Sequence, residues 1–266
     1  MDIEFLFILA GFVILGLFTG FCAGLLGIGG GLILVPGLYY FLKYTGIDVT
    51  DDDILIHTAL ATSMAIIVPT GLSSSWAQIK RKAVDWEAVK LMTPGLVIGV
   101  IVGILLVSKM DSHILKIIFA VGMVGIALSI IFKEENAIEN PLMKKMICAF
   151  PSSLGIGIFA TFLGIGGAVL NVPYLNKAGI PLKTAIASGS VLGVVIATIA
   201  TLGYLIMGEG TFGLINPMAC LLIIPASVLM APIGVRTAHY LPVSKLKIIF
   251  ATLLVIVAAK MVFEVI

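Results

Sequence analysis

The sequence predicts an all-α integral membrane protein that is built from two related halves. Of its 266 residues, 60% are hydrophobic and only 11% are charged, whereas about 25% are charged in a typical soluble domain. Long apolar stretches alternate with short polar loops, and one glycine-rich sequence occurs in each half. A soluble chain of this size could not bury so much apolar surface, so lipid is the expected solvent.

The apolar stretches are the candidate membrane segments. Most exceed the roughly 18 residues that a helix needs to cross the hydrocarbon, and none shows the ten-residue alternation of a membrane barrel. The N-terminus lacks the basic region of a cleaved signal peptide, so we expect the first stretch to be retained. The stretches are 5–42, 55–78, 88–108, 115–132, 146–176, 184–207, 214–237 and 246–264.

An internal repeat relates the two halves. Residues 26–36 read LGIGGGLILVP and residues 163–173 read LGIGGAVLNVP, with seven identities in eleven positions. The sequence LKIIFA occurs at 115–120 and again at 246–251. We therefore predict a first transmembrane repeat at 1–132, a charged linker at 133–145 and a second transmembrane repeat at 146–266.

The distribution of basic residues predicts the relative direction of the repeats. If each glycine-interrupted segment crosses the membrane once, the halves are parallel, and eight of the sixteen Lys and Arg residues fall on each side of the membrane. If each segment doubles back, twelve of them fall on cytoplasmic loops, where basic residues accumulate. We therefore predict two inverted repeats with re-entrant or hairpin glycine-interrupted helices, a cytoplasmic linker and both termini outside the cytoplasm.

The two glycine-rich sequences, here called the first tip (27–31) and the second tip (164–167), are the best candidates for a binding site. Glycine lets the backbone turn sharply and approach a ligand closely, and a helix starting after each tip would direct free N–H groups at an anion. The alternative is that the glycines only permit a tight turn or close helix packing. The candidate glycines are Gly27, Gly29, Gly30, Gly31, Gly164, Gly166 and Gly167.

Uncharged polar residues follow each tip. Hydroxyls and amides can donate hydrogen bonds to an oxyanion, but they can equally bond neighbouring helices or the preceding turn of their own helix. Asn171 is a full amide just after the second tip, where the first half has Leu34. The stretch 55–78 also carries a run of serines and ends on Gln78. The predicted substrate-binding hydroxyls are Thr62, Ser63, Ser188 and Ser190.

Other chemistries find little support. The chain has no H-E-x-x-H, no G-x-S-x-G and no Walker A lysine after its glycines, so we predict that it is not an enzyme. Three separated cysteines and the lack of a Cys/His cluster predict no metal and no cofactor. The net charge of +2 suggests no nucleic-acid partner. Glycines spaced at four, at 16, 20 and 24 and at 95, 99 and 103, are assigned to close helix packing.

The motifs also resemble a known family. GIGGGLILVP and ALATSMAIIVPTGLSSSWAQIKRKAVDW are similar to the first half of the TauE/SafE sulfite exporter family. GIGGAVLNVP, TAIASGS and APIGVRTAHYLPVSKLKIIFA are similar to its second half. The resemblance implies a carrier of sulfur-containing anions in which the tip glycines and the small hydroxyl segments form the anion site. Ala168 departs from the family, where a third glycine often stands.

Together these observations predict a secondary transporter in a prokaryotic inner or plasma membrane. We expect it to export small sulfur-containing anions such as sulfite, thiosulfate or organosulfonates, by alternating access around a site at the membrane midplane. The expected partners are the anion and the lipid bilayer, and a homo-oligomer is compatible with the sequence. Two alternatives are a channel-like anion conductor and a membrane partner that delivers sulfur to an enzyme.

Overall fold

The computed structural model describes residues 3–26, 30–45, 52–131, 146–207 and 213–238. Within these ranges the chain forms nine α-helices and no strand. The first five are α1 (Ile3–Leu26), α2 (Gly31–Thr45), α3 (Asp52–Lys80), α4 (Trp86–Val107) and α5 (Ser112–Ile131). The other four are α6 (Met146–Phe162), α7 (Ala168–Lys177), α8 (Leu182–Met207) and α9 (Pro217–Ala238). The predicted linker 133–145 and the predicted segment 246–264 lie outside the described residues.

Five of these helices, α1, α3, α4, α8 and α9, are long and apolar enough to cross a membrane. Helices α5 and α6 are apolar but shorter over their described residues. Many large apolar side chains on the long helices are exposed, as expected of surfaces that face lipid. The prediction of an all-helical, multi-pass membrane protein is confirmed for the described part of the chain.

Helices α1 and α9 pack closely because glycines line the contact. A side chain at Gly16 would lie 2.8 Å from the carbonyl oxygen of Ile223. Side chains at Gly20 and Gly24 would overlap the backbone of Ser227 and Ala231. Each step of four residues on α1 matches a step of four on α9, so the two helices run side by side in the same direction.

Helices α4 and α6 repeat this arrangement. A side chain at Gly95 would meet Ser153, one at Gly99 would overlap the backbone of Leu154, and one at Gly103 would lie 2.8 Å from Thr161. These two helices also run in the same direction. The assignment of both glycine series to helix packing is therefore confirmed.

Helices α4 and α9 begin at matching capping residues, 131 positions apart. Asp85 Oδ1 accepts a hydrogen bond from the N–H of Ala88 at 3.1 Å. Asn216 Oδ1 accepts one from the N–H of Ala219 at 2.8 Å. Such side-chain caps satisfy N–H groups that a helix start leaves without a backbone acceptor.

Each capping residue is held in turn by the long helix at the centre of the opposite half. Thr62 Oγ1 on α3 accepts a hydrogen bond from the N–H of Asn216 at 2.9 Å. Ser188 Oγ on α8 accepts one from the N–H of Asp85, also at 2.9 Å. The first bond joins the first half of α3 to the chain after α8, and the second joins the first half of α8 to the chain after α3. Helices α3 and α8 therefore run in opposite directions.

Seven of the ten described basic residues lie at one end of the bundle, here called the basic end. The end of α3 and the start of α8 meet there through the Asp85–Ser188 bond. Helix α9 begins at the other end and finishes at this one. The described basic residues at the basic end are Lys80, Arg81, Lys82, Lys90, Lys177, Lys183 and Arg236, whereas Lys43, Lys109 and Lys116 lie toward the opposite end.

We predict that Gly99→Ala lowers the melting temperature of the purified protein by several degrees. The added methyl group would overlap the carbonyl oxygen of Leu154, and overpacking of this kind costs about 1–3 kcal/mol. The control is Gly125→Ala on α5, where the site is exposed and no atom lies within 4 Å of the new methyl group. Thermal unfolding in detergent checks this, and equal melting temperatures for both variants would contradict close packing of α4 on α6.

We also predict that Thr62→Val destabilises the protein. The variant keeps the shape of the side chain but removes the acceptor for the buried N–H of Asn216, which costs about 1–3 kcal/mol. Thr198→Val is the matched control, because Thr198 bonds only the carbonyl of Val194 in its own helix. Thermal unfolding should separate the two variants; a Thr62→Val protein as stable as the control would show that the bond contributes nothing.

Candidate functional site

The second tip separates α6 from α7 and is formed by left-handed glycines. Gly164 and Gly167 have φ angles of 57° and 66°, a region that L-amino acids with a side chain rarely adopt. Gly30, which stands in the first tip where Gly167 stands in the second, has a φ of 74°. The repeated glycines are thus required by backbone geometry at equivalent positions. Gly27 and Gly29 lie outside the described residues.

The two tips touch each other at the centre of the bundle. A side chain at Gly31 would lie 2.6 Å from the carbonyl oxygen of Gly164. A side chain at Gly166 would meet Ile67 of α3 at 3.2 Å and Gly193 of α8 at 3.5 Å. The tips therefore meet where α3 and α8 cross, with no room for larger residues.

The second tip exposes backbone donors toward the interior. The N–H groups of Gly164 and Ile165 bond the carbonyls of α6, at 3.2 and 3.0 Å. Within the described part of the chain, no group accepts a hydrogen bond from the next four N–H groups, those of Gly166, Gly167, Ala168 and Val169. All four residues are buried. Free N–H groups at a helix start, together with the positive end of the helix dipole, form a site that suits an anion.

Asn171 adds a side-chain amide to these donors. Its side chain is completely buried, and neither Nδ2 nor Oδ1 has a hydrogen-bond partner among the described residues. Nδ2 lies 3.4 Å from the position that a β-carbon on Gly167 would occupy, so the amide stands beside the start of α7. A buried amide without partners costs free energy, and a polar ligand at the tip would recover that cost.

The four hydroxyls predicted to bind the substrate already make hydrogen bonds within the protein. Ser63 Oγ donates to the carbonyl of Gly164 at 3.0 Å and so holds the second tip in place. Thr62 and Ser188 accept the backbone bonds of the two helix caps. Ser190 Oγ donates to the carbonyl of Ile186, one turn back in its own helix. The structure therefore brings Ser63 to the second tip and gives the other three hydroxyls partners within the fold.

Residues that contact the tips were absent from the sequence-based site. Ile67 and Gly193 touch the second tip from α3 and α8. They are separated by 126 positions, the same offset that relates Thr62 to Ser188. The repeat offset could therefore have identified this pair, although neither residue is polar.

The groups that line the second tip, backbone N–H groups and the Asn171 amide, carry no charge. Among the described residues there is no group of three or more His, Cys, Asp or Glu side chains that could hold a metal ion. A separate cleft of about 80 Å³ lies between the start of α4 and the end of α7, at the basic end. Asp85 and Glu87 line that cleft, and their carboxylates would repel an anion, so the second tip suits an anion better than this cleft does.

Comparisons with known proteins agree with the membrane fold. A family model described as sulfite exporter TauE/SafE matches residues 12–261. A probable membrane transporter protein of Haemophilus influenzae is 33% identical over 259 residues, covering 94% of this chain and 96% of that protein. The probable membrane transporter protein YunE of Bacillus subtilis is 24% identical, covering 95% and 96%. A relative in Methanocaldococcus jannaschii with the same description is 27% identical, covering 96% and 95%. No solved structure matches the chain. The chain therefore belongs to the TauE/SafE sulfite exporter family, whose relatives found here are described as probable membrane transporters.

Proposed function

We propose that the protein is a secondary transporter of small sulfur-containing anions such as sulfite, thiosulfate or organosulfonates, and that the second tip binds the anion. The observation that carries this proposal is the buried amide of Asn171, which has no partner and lies beside four free backbone N–H groups. The family description, which names sulfite as the exported compound, supports the substrate class and the direction of transport.

A neutral site of this kind suits a transporter. Backbone and amide donors can replace the hydration shell of an oxyanion without a fixed positive charge that would retain it. Unpaired backbone at membrane depth is tolerated only where it is buried in protein or lines a wet cavity, and interrupted helices whose N-termini point at an anionic group form the substrate site in several transporter folds.

The proposed topology is a pair of inverted repeats, 1–132 and 146–266. Its support is the opposite direction of α3 and α8, which occupy equivalent places in the two halves. Helix α7 has ten residues and is about 15 Å long, half of the roughly 30 Å hydrocarbon core, which supports a re-entrant segment. The collection of lysines and arginines at the basic end supports a cytoplasmic location for that end and both termini outside the cytoplasm.

Alternating access would use the two hydrogen bonds between halves. The Thr62–Asn216 bond joins the halves near one end, and the Ser188–Asp85 bond joins them near the basic end. In our mechanism one bond opens while the other stays closed, so that the second tip faces one side of the membrane at a time.

We expect Asn171→Leu to weaken anion binding without destabilising the ligand-free protein. Leucine is the residue at the equivalent position of the first half, and it removes a buried amide that lacks partners. Hydrogen bonds to a charged group contribute about 1.5–3 kcal/mol, so the Kd for the anion should rise about ten- to a hundredfold. Calorimetric titration with sulfite and thiosulfate measures the change.

Asn176→Leu is the matched control for that experiment. Asn176 also lies on α7, but its Nδ2 donates to the carbonyl of Ile180 at 3.2 Å, away from the tip. This variant should melt at a lower temperature and still bind the anion. Unchanged sulfite and thiosulfate binding by Asn171→Leu would refute the second tip as the site.

A thermal-shift panel of sulfite, thiosulfate, sulfate, taurine, sulfoacetate and chloride tests the substrate class. A ligand that binds the folded state raises the melting temperature with its occupancy. We expect a shift with one or two sulfur oxyanions and none with chloride, and loss of that shift in Asn171→Leu. A flat panel, or a shift with chloride alone, would contradict the proposed substrate class.

Replacement of the three cysteines separates a transporter from a sulfur-delivery partner. Cys22 is buried, Cys148 and Cys220 are half-buried, and all three are free thiols. None lies at the tips. We expect the triple variant Cys22→Ala, Cys148→Ala, Cys220→Ala to transport sulfite in proteoliposomes at the wild-type rate; loss of transport with normal folding would favour a thiol-dependent mechanism.

A further inference from the structure

We infer that the buried face of α3 around Ser75 and Gln78 is a second polar subsite, which receives the oxyanion between the second tip and the basic end. This inference rests on the proposed function, because it assigns a route to the anion that the second tip binds. The ligand class is a small oxyanion that still carries an O–H group, either its own or that of a bound water molecule.

The first support is that both side chains are buried without partners. Ser75 is 5% exposed and Gln78 is 3% exposed. In the part of the chain that the structure describes, neither Ser75 Oγ nor Gln78 Oε1 has a hydrogen-bond partner. The two residues are three positions apart on α3, and burial of such groups costs free energy unless a ligand or water satisfies them.

The neighbouring hydroxyls of α3 differ from Ser75 in this respect. Thr70 Oγ1 bonds the Ser227 hydroxyl of α9 at 2.6 Å. Ser73 Oγ donates to the carbonyl of Val228 at 3.0 Å, and Ser74 Oγ donates to the carbonyl of Gly71 at 3.1 Å. The helix therefore satisfies the hydroxyls that serve packing and leaves Ser75 and Gln78 available.

The position of the subsite follows from helix geometry. Ile67 contacts both tips, and a side chain at Gly71, one turn later, would lie 2.9 Å from Val194 of α8. Gln78 lies eleven residues after Ile67, about three turns and roughly 16 Å along the same face, and Ser75 lies beside this face. Lys80 and the next two basic residues follow at the surface.

The polar groups at the corresponding positions of the second half already have hydrogen-bond partners. The offset of 126 relates Ser75 to Thr201 and Gln78 to Tyr204. Thr201 Oγ1 donates to the carbonyl of Ala197 at 2.7 Å. The Tyr204 ring is buried and its hydroxyl donates to the carbonyl of Thr161 at 3.5 Å. Ser75 and Gln78 thus lie on the side of the tips that leads to the basic end, whereas the position equivalent to Gln78 in the second half is filled by the buried ring of Tyr204.

The chemistry of the two groups defines the ligand. A carbonyl oxygen such as Gln78 Oε1 accepts hydrogen bonds and would repel a bare oxyanion. The hydroxyl of Ser75 can donate to an anion oxygen while Gln78 accepts from an O–H on the same ligand. A partly hydrated or singly protonated oxyanion meets both requirements, and the positive charges beyond Gln78 would attract it to this end.

The test compares binding with transport in the full-length chain. Gln78→Leu and Ser75→Ala are reconstituted in proteoliposomes, and initial rates of labelled sulfite transport give KM and Vmax. Sulfite binding to the same purified variants gives Kd. We expect Vmax to fall about tenfold in Gln78→Leu and severalfold in Ser75→Ala, while Kd changes less than twofold, because the second tip is intact. Gln78→Asn should restore part of the rate.

Two controls separate this subsite from a general effect of substitution. Ser74→Ala removes a hydroxyl on the same helix that already has a partner, and Thr201→Ala removes the equivalent hydroxyl of the other half. Both should transport at the wild-type Vmax. Wild-type Vmax in Gln78→Leu and Ser75→Ala would overturn the subsite, as would a fall in Vmax accompanied by an equal weakening of Kd and a lower melting temperature.

Different results would refute the proposed function. If Asn171→Leu binds sulfite and thiosulfate as the wild type does, or the wild type transports neither, then the second tip is not the anion site. If Asn171→Leu loses binding while Gln78→Leu transports normally, the second tip stands and only the subsite is wrong.

Discussion

The contact between the two glycine-rich tips constrains the rest of the molecule. At this point Gly31 meets the carbonyl of Gly164, and Gly166 fits between Ile67 and Gly193. Backbone can approach backbone this closely only where there is no β-carbon. Helices α3 and α8 cross around the tips, and the outer helices pack in two parallel pairs, α1 with α9 and α4 with α6, through further glycines. The same turns leave N–H groups of the second tip without acceptors.

The buried polar groups fall into two classes, those with hydrogen-bond partners and those without. Most described hydroxyls near the centre bond the fold: Ser63 holds the second tip, and Thr62 and Ser188 hold the caps of α9 and α4. Asn171, Ser75 and Gln78 are buried to a similar degree and have unsatisfied atoms. Where water is scarce, a polar group without a partner costs more than a polar group that is absent. These unsatisfied groups are therefore the basis of the proposed anion site and of the proposed second subsite.

The two halves share left-handed glycines in their tips but differ in side chains at equivalent sequence positions. Asn171 in the second half corresponds to Leu34 in the first, and Gln78 in the first half corresponds to Tyr204 in the second. Backbone geometry is common to both, as the positive φ angles of Gly30 and Gly167 show. In the proposed mechanism the repeat would provide two alternating conformations, and the differences between the halves would provide one polar tip and one polar route for the anion.

The sequence by itself determined the helical membrane fold, the repeat, the family and the packing role of the spaced glycines, because composition and four-residue spacing depend on local periodicity and on the solvent. It also indicated that the tips need glycine, and that the second half has a polar amide, Asn171, where the first half has the apolar Leu34. Only the tertiary structure decided which polar groups have partners. Thr62 bonds a residue 154 positions away and Ser63 bonds one 101 positions away, and no local pattern encodes such pairs. For the same reason, Ser75 and Ser74 are adjacent and alike in sequence, yet the fold gives a partner to one and leaves the other buried without one.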